Sequence, residues 1–337
     1  MTSAAPSAVP DARPFRAPPA PLRKRSDSMS SPTAAAGVPT VLMADLPFRT
    51  SDSALIPLED GQAVSAGWPQ SIGGRPLGVT WHWTVTWDLE LCRRLLGGRH
   101  AERKGEASAH YGVGRSYEEG VDRYVTLENR SWHAGKSQSL RWDGRALQSP
   151  DYKGARSTIG VETVNIGYAT APGMAEDDWI ATATPDGKPI RVQPWSDEQV
   201  MMMIEVGREI VARWPGIGPD DHHGHADICP GYKVDPSGFP FARVLAGIYP
   251  DRAIVDHWTP TQTIAQRQRA LLAAGMELGA FGADGNWGPR SLHALKHFQD
   301  TNGLVVNGYW STFVSRRLAQ VLAERGIDLA EAAGPAS

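Results

Sequence analysis

The chain has 337 residues with a formal net charge of -3, and 41% of the residues are apolar. That apolar share is enough to bury a core, and the lack of a basic excess argues against a dedicated nucleic-acid binder. The two cysteines, Cys92 and Cys229, are too few for a disulfide framework. The sequence contains neither an apolar run of about 18 residues nor a secretory signal. We therefore expect that the chain is made in the cytoplasm and does not insert into a membrane.

Residues 1–50 are predicted to form a disordered leader. The first forty residues contain eight of the 26 prolines, together with many alanines and serines. Such a segment buries too little apolar surface to offset the entropy lost on ordering.

Regular structure is predicted to begin near Gly78. Val79, Trp81 and Trp83 alternate with polar residues there, which is typical of a strand with aromatic side chains on one face. His82 then points to the opposite face.

Further elements follow in alternation. A short helix is expected after Asp88, and strands are expected at residues 124–127 and 159–164, the second with Glu162 pointing away from Val161. Residues 167–194 are rich in Gly, Ala, Pro and Asp and are interpreted as a long surface loop. Strands interleaved with helices predict an α/β domain around one sheet, which we place at residues 70–250.

A long amphipathic helix is predicted after that loop. Ser196 and Gln199 form a capping-box pattern at its start, and apolar residues follow at helical spacing as far as Trp214.

A small all-α domain is predicted at residues 261–322. It contains an internal echo, in which Asp284-Gly285-Asn286-Trp287 is answered by Asn307-Gly308-Tyr309-Trp310. Helical patterns on both sides of these turns predict three helices. Residues 323–337 are predicted to be a flexible tail.

The densest group of reactive side chains lies at residues 221–236. Imidazole and carboxylate groups make up the ligand sets of open catalytic zinc sites. His225 and Asp235 are ten residues apart across a Pro-Gly turn, so both can approach one ion, and His82 can supply a third ligand. On spacing alone, His222, His223 and the softer ligand Cys229 remain alternatives, and a structural role is the commoner fate of a single histidine.

Five short motifs follow one another in the chain. They are Val79-Thr80-Trp81-His82, Ser108-Ala109-His110-Tyr111, Trp132-His133-Ala134-Gly135, Ile159-Gly160-Val161-Glu162, and Gly224-His225-Ala226-Asp227 continuing to Lys233-Val234-Asp235-Pro236. In these motifs and their order the chain resembles the zinc-dependent N-acetylmuramoyl-L-alanine amidases, whose fold is shared with peptidoglycan-recognition proteins. The resemblance implies a central mixed sheet flanked by helices.

The resemblance also implies roles for individual residues. His82, His225 and Asp235 would hold Zn²⁺, and Cys229 would lie outside the ligand set. Glu162 would act as the general base, and Lys233 would stabilise the oxyanion, roles that amide hydrolysis requires. Without the resemblance, a rim salt bridge for Glu162 and a solvated turn residue for Lys233 would be the simpler interpretations.

The resemblance places three further side chains near the substrate. His133 would contact the substrate or the intermediate, Trp132 would stack on a sugar face, and His110 would support the cleft wall. A structural role is an alternative for each of them.

The C-terminal domain resembles the three-helix peptidoglycan-binding domain. The similarity lies in Gln268 with the turn 284–289, and in Phe298-Gln299 followed by Asn302-Gly303-Leu304, whereas Ser311 replaces the usual glycine. It implies peptidoglycan, glycan strand and stem peptide, as the partner. As a tether, such a domain would favour polymer over soluble fragments, so its deletion should weaken binding to insoluble wall more than cleavage of a soluble muropeptide.

These observations predict an enzyme that hydrolyses the amide between N-acetylmuramic acid and L-alanine. A wall-degrading enzyme without an export signal suggests a phage-type endolysin that acts on the cell wall after release. The alternatives are a cytoplasmic amidase that recycles anhydro-muropeptides, a non-catalytic peptidoglycan receptor, and a structural wall-anchoring protein.

Overall fold

A computed structural model of the protein describes residues 47–56, 58, 63–97, 107–135, 137, 156–171 and 173–336. Most of the leader predicted at residues 1–50 lies outside this part of the chain. The strands are β1 (Thr50–Ser51), β2 (Val64–Ser65), β3 (Gly78–Trp83), β4 (Tyr111–Val113), β5 (Val121–Arg123), β6 (Arg130–Ser131), β7 (Thr158–Thr163), β8 (Ile180–Ala183), β9 (Pro189–Val192) and β10 (His222–Gly224). The helices are α1 (Leu89–Leu96), α2 (Asp197–Arg213), α3 (His225–Ile228), α4 (Phe241–Ile248), α5 (Ile264–Ala273), α6 (Pro289–Thr301), α7 (Thr312–Ala323) and α8 (Leu329–Ala333).

The central sheet has six strands in the order β1-β5-β4-β7-β3-β10. β4 and β5 pair antiparallel, and the other neighbours pair parallel, so the sheet is mixed. The predicted α/β fold with a central mixed sheet flanked by helices is therefore confirmed.

The two faces of the sheet carry different side chains. Val79 and Trp81 of β3 are fully buried in the main core, where they join apolar residues of β7, α2 and α4. Leu89 and Cys92 of α1 belong to a separate, smaller core with Tyr124. The strict alternation along β3 sends His82 to the face opposite Trp81.

Helix α2 begins as its sequence predicts, because the Ser196 Oγ accepts a hydrogen bond from the Gln199 N–H at 3.1 Å. The Gln199 side chain takes another partner than a capping box requires. It is fully buried and donates to the Val164 carbonyl at 2.9 Å, which ties the start of α2 to the end of β7.

Two predictions for local structure are wrong. The strand expected at residues 124–127 lies earlier, at β5, and Tyr124 packs in the core beside α1 instead. The loop expected at residues 167–194 contains the antiparallel hairpin β8–β9, in which Ile180 pairs with Val192. The Gly- and Asp-rich composition describes the turns of this segment, while a few apolar residues between them form the strands.

The internal echo in the sequence corresponds to two turns that are braced in the same way. The Gln268 side chain of α5 donates to Asp284 Oδ1 and accepts from the Gly285 N–H. The Gln299 side chain of α6 donates to Asn307 Oδ1 and accepts from the Gly308 N–H. In each case the side-chain amide of a buried glutamine fixes the turn in the loop that follows its own helix.

The chain end differs from the flexible tail predicted at residues 323–337. Helix α8 lies there, with Leu329 and Ala333 buried, and Leu329 packs into the core of the C-terminal helices. The Asp328 side chain caps α8 by accepting from the Glu331 N–H at 3.0 Å. Among the described residues, no helix is long and apolar enough to cross a membrane.

Candidate metal centre

Strand register brings three polar side chains to one edge of the sheet. His82 in β3 is paired directly with Glu162 in β7, so both side chains point to the same face. On the other side of β3, Gly224 pairs with Trp81, and His225 follows at once as the first residue of α3. These strands are parallel, so their carboxyl ends meet at a common edge, where α/β proteins commonly bind ligands.

Asp235 reaches the same place through a folded-back turn. The Ala226 N–H donates to the Asp235 carbonyl at 2.8 Å, which closes the segment onto α3. His82, His225 and Asp235 are all buried, and they offer ligand atoms that lie within 4.8 Å of one another.

The separations of these atoms fit a tetrahedral metal ion. His82 Nδ1 and His225 Nδ1 are 3.0 Å apart, and Asp235 Oδ2 lies 3.1 Å from the latter and 3.4 Å from the former. Two ligands at the usual Zn–N or Zn–O distance from a tetrahedral ion are about 3.3 Å apart. Two imidazoles and one carboxylate also form the three-ligand set that leaves a fourth position open.

A hydrogen-bonded chain fixes the tautomer of His82. His133 Nε2 lies 3.0 Å from the carbonyl oxygen of Thr158, which can only accept, so Nε2 carries the hydrogen. Burial lowers the pKa of His133 well below its ordinary value, so the ring is neutral and its Nδ1 accepts. His82 Nε2, 2.9 Å from that Nδ1, must then donate.

The consequence is a lone pair on His82 Nδ1, directed at His225 and Asp235. Burial, followed by the proximity of His225, lowers the pKa of His82 to about 4, so this ring is neutral as well. Metal-ligating histidines commonly have their second nitrogen held in this way.

The series of hydrogen bonds from Thr158 through His133 to His82 depends on Gly160. The His133 ring lies directly over the backbone of β7, and a Cβ at Gly160 would come within 2.4 Å of the ring. Any larger residue at this position would push His133 away from His82.

Glu162 lies beside the group formed by His82, His225 and Asp235. Its Oε1 is 3.8 Å from His82 Nδ1, and its side chain is buried. Burial raises the pKa of Glu162 well above its ordinary value, the charge of Asp235 raises it further, and Lys233 opposes both. Burial alone would also raise the pKa of Asp235, but contacts with His225 and His82 outweigh burial and lower it.

Lys233 borders a cleft of about 230 Å³. Its ammonium lies 5.3 Å from the centre of the Tyr232 ring, and 62% of Tyr232 is exposed. Tyr309 of the C-terminal helices lines the same cleft.

The alternative ligands are occupied elsewhere. His222 Nδ1 accepts from the Trp81 indole at 3.2 Å, and its Nε2 lies 2.9 Å from the Tyr249 hydroxyl. His223 Nε2 is 3.0 Å from the Thr80 hydroxyl.

Cys229 is buried in a small apolar cluster with Ala134 and Ile228, and burial raises its pKa to about 12. Among the described residues, the side chains whose ligand atoms lie within 4.8 Å of one another are His82, His225 and Asp235, and Cys229 is not one of them.

The side chains predicted to contact substrate have different environments. Trp132 is 40% exposed, and its indole donates to the Ser65 hydroxyl at 3.1 Å. His110 is fully buried, and its Nδ1 accepts from the Gly160 N–H at 3.0 Å. His110 therefore supports the strand beneath the site and presents no atom to a substrate. His133 is also buried, and its Nδ1 lies 2.9 Å from His82 Nε2. The sequence did not predict this contact between the two histidines.

Residues 73–238 match the sequence profile of the N-acetylmuramoyl-L-alanine amidase family. No curated protein shows significant sequence similarity to the chain. Among solved structures, AmiD from E. coli, in complex with anhydro-N-acetylmuramic acid-L-Ala-D-gamma-Glu-L-Lys, is 21% identical with a TM-score of 0.42, and the match covers 76% of this chain and 93% of that one.

Two other solved structures are similar. AmpDh3 from Pseudomonas aeruginosa is 19% identical with a TM-score of 0.42, over 75% of this chain and 93% of its own. PlyL is 15% identical with a TM-score of 0.36, over 59% of this chain and 96% of its own. The family match spans β3, β7 and α3, which carry Glu162 and the histidines of the site. Over residues 73–238, which contain the site, the chain is therefore similar to the N-acetylmuramoyl-L-alanine amidase family.

Proposed function

We propose that the protein is a zinc-dependent hydrolase of the amide bond between N-acetylmuramic acid and L-alanine in peptidoglycan. The observation that carries this proposal is the convergence of His82, His225 and Asp235, with Glu162 beside them, within the residues that are similar to this family. A non-catalytic receptor would have no need of a buried carboxylate next to a complete ligand set.

The three grouped side chains are proposed to hold the metal. When bound there, zinc would supply a Lewis acid that polarises the scissile carbonyl and lowers the pKa of water. The chain's own contribution is geometric, because His133 fixes the ring of His82, and the backbone bond from Ala226 fixes Asp235.

Glu162 is proposed as the general base and acid. It takes a proton from water as the water oxygen attacks the carbonyl carbon, and it returns the proton to the amine as the C–N bond breaks. Burial raises the pKa of this carboxyl above its ordinary value, which favours the protonated form that donates to the amine in the second step. Lys233 is proposed to stabilise the negative charge that develops on the carbonyl oxygen.

We further propose that residues 70–250 form the amidase domain and that residues 261–322 bind the glycan and stem peptide of the wall. The proposed role is that of a phage-type endolysin acting on the cell wall. Trp132, exposed near His133, is the side chain proposed to contact a sugar ring, because a flat aromatic face suits it.

Digestion of purified sacculi tests the bond that is cut. We expect mass spectrometry to detect free stem peptides with an L-alanine N-terminus, together with glycan strands of intact length. Shortened glycan with no free peptide would contradict the proposal. Zinc-bound protein that releases no product from sacculi would instead favour the receptor.

Replacing His133 tests the hydrogen-bonded chain. Leu at this position should lower zinc affinity about 10- to 100-fold, since the partner that holds the His82 ring is lost. His133→Asn places an oxygen near the position of Nδ1 and should restore part of the affinity. Zinc titration against a competing chelator measures both variants, and equal affinity of wild type and His133→Leu would contradict the proposed role.

A further inference from the structure

The C-terminal helices are attached to the hairpin β8–β9 by buried polar contacts. The guanidinium of Arg267 in α5 is buried and donates to the carbonyls of Ala183 and Thr184 at 2.8 and 2.7 Å. The Trp310 N–H donates to the Pro185 carbonyl at 2.8 Å. Such directional contacts fix one orientation between the helices and the hairpin, unlike a flexible tether.

A further polar contact of the C-terminal helices lies next to the candidate metal centre. Asp227 is two residues after His225 in α3, and its carboxylate is buried. Its Oδ2 accepts from the Gly224 N–H at 2.8 Å, and its Oδ1 accepts from the Thr312 N–H at 2.7 Å. One carboxylate therefore joins the residue before His225 to the first residue of α7.

Helix α3 depends on such external contacts. It has four residues, one turn, and a helix of that length has no stability of its own in water. Its start is held by Asp227, and Asp227 in turn is held by α7. Without the Thr312 N–H, a buried carboxylate would lose one of its two backbone hydrogen bonds, which is costly enough to shift the turn.

We propose that the C-terminal helices are a structural part of the metal centre: through the Thr312 N–H they position Asp227, and through Asp227 they position His225. Asp227 and Thr312 are positioning residues and touch no substrate. The inference rests on the proposed function, because it takes His225 to be a metal ligand. It differs from a tethering role, in which the helices would affect wall binding alone.

A proline at position 312 removes this backbone hydrogen bond together with the Thr312 hydroxyl. Thr312 is the first residue of α7, where proline is favoured because its missing N–H is not needed by the helix. Ser311 before it has an extended backbone, with φ -146° and ψ 166°, as a residue preceding proline requires. We expect Thr312→Pro in the full-length chain to lower zinc affinity about tenfold or more.

Two controls separate the hydrogen bond from other effects. Thr312→Val keeps the N–H but loses the hydroxyl, which also bonds to the Asp227 carboxylate and accepts from the Trp258 indole, so its zinc affinity should fall less than that of Thr312→Pro. Asp197→Pro introduces proline at the same position of α2, away from the site, and should also leave zinc affinity unchanged.

Zinc titration of these full-length variants decides the inference. Equal affinity of Thr312→Pro and Thr312→Val would overturn it. Should Thr312→Pro fail to fold, Asp227→Asn replaces one accepting oxygen by an amide that faces an N–H, and wild-type zinc affinity in this variant would overturn it equally. A wild-type protein that binds no zinc would remove the proposed function itself, which is a different result.

Discussion

Glu162→Gln is expected to abolish turnover while zinc stays bound. Gln has nearly the same shape as Glu but cannot take a proton from water, so the rate should fall about 10²- to 10⁴-fold. Zinc content should not change, because Glu162 Oε1 lies 3.8 Å from His82 Nδ1 and outside the group of three ligands. Release of L-alanyl peptide from a soluble muropeptide gives the rate, and metal analysis of the same sample gives the occupancy.

The control for this variant is Glu128→Gln, which changes an exposed carboxylate paired with Arg213. Exposed pairs of this kind contribute little to stability, so this variant should keep wild-type activity. Full activity of Glu162→Gln would remove Glu162 as the base. Loss of zinc together with activity would move Glu162 from proton transfer to metal binding.

Asp235→Ala is expected to lose zinc. The carboxylate supplies the only negative charge among the three proposed ligands, and it lies 3.1 Å from His225 Nδ1. Replacing a partner outside the ligand set typically costs 10- to 100-fold in affinity, so removing a ligand should cost more than about 100-fold. Chelator competition measures the affinity directly.

Thermal unfolding gives a second measurement for Asp235→Ala. A ligand that binds only the folded state raises the melting temperature, so added zinc should stabilise the wild type and leave this variant unchanged. Cys229→Ala is the matched control, since Cys229 is buried nearby without joining the ligands. Loss of zinc from Cys229→Ala but not from Asp235→Ala would assign the site to cysteine.

The sequence by itself determined those features that depend on local patterns. Alternation along β3 assigned His82 to the face opposite Trp81, and the capping residue Ser196 gave the start of α2. These features depend on neighbours within a few residues, which is the range over which backbone geometry dictates side-chain direction. The hairpin β8–β9 was missed because a few apolar residues between turns give a weak periodic signal.

The tertiary structure decided which histidine joins the centre and what the others do. His222, His223 and His225 are almost consecutive, yet the first two bond to Trp81 and Thr80 while only His225 turns toward His82. Their directions depend on the pairing of β10 with β3, which joins residues about 140 positions apart in the chain.

The same reason explains why the roles of His133 and Asp227 had no signal in the sequence. His133 meets His82 because Gly160 leaves room for its ring beside β7, and Asp227 meets Thr312 because the first residue of α7 lies next to α3. A sequence specifies which groups can bond, through residue type and local spacing. Which of them do bond across the fold is set by strand register and packing, where a shift of one residue turns a side chain to the other face.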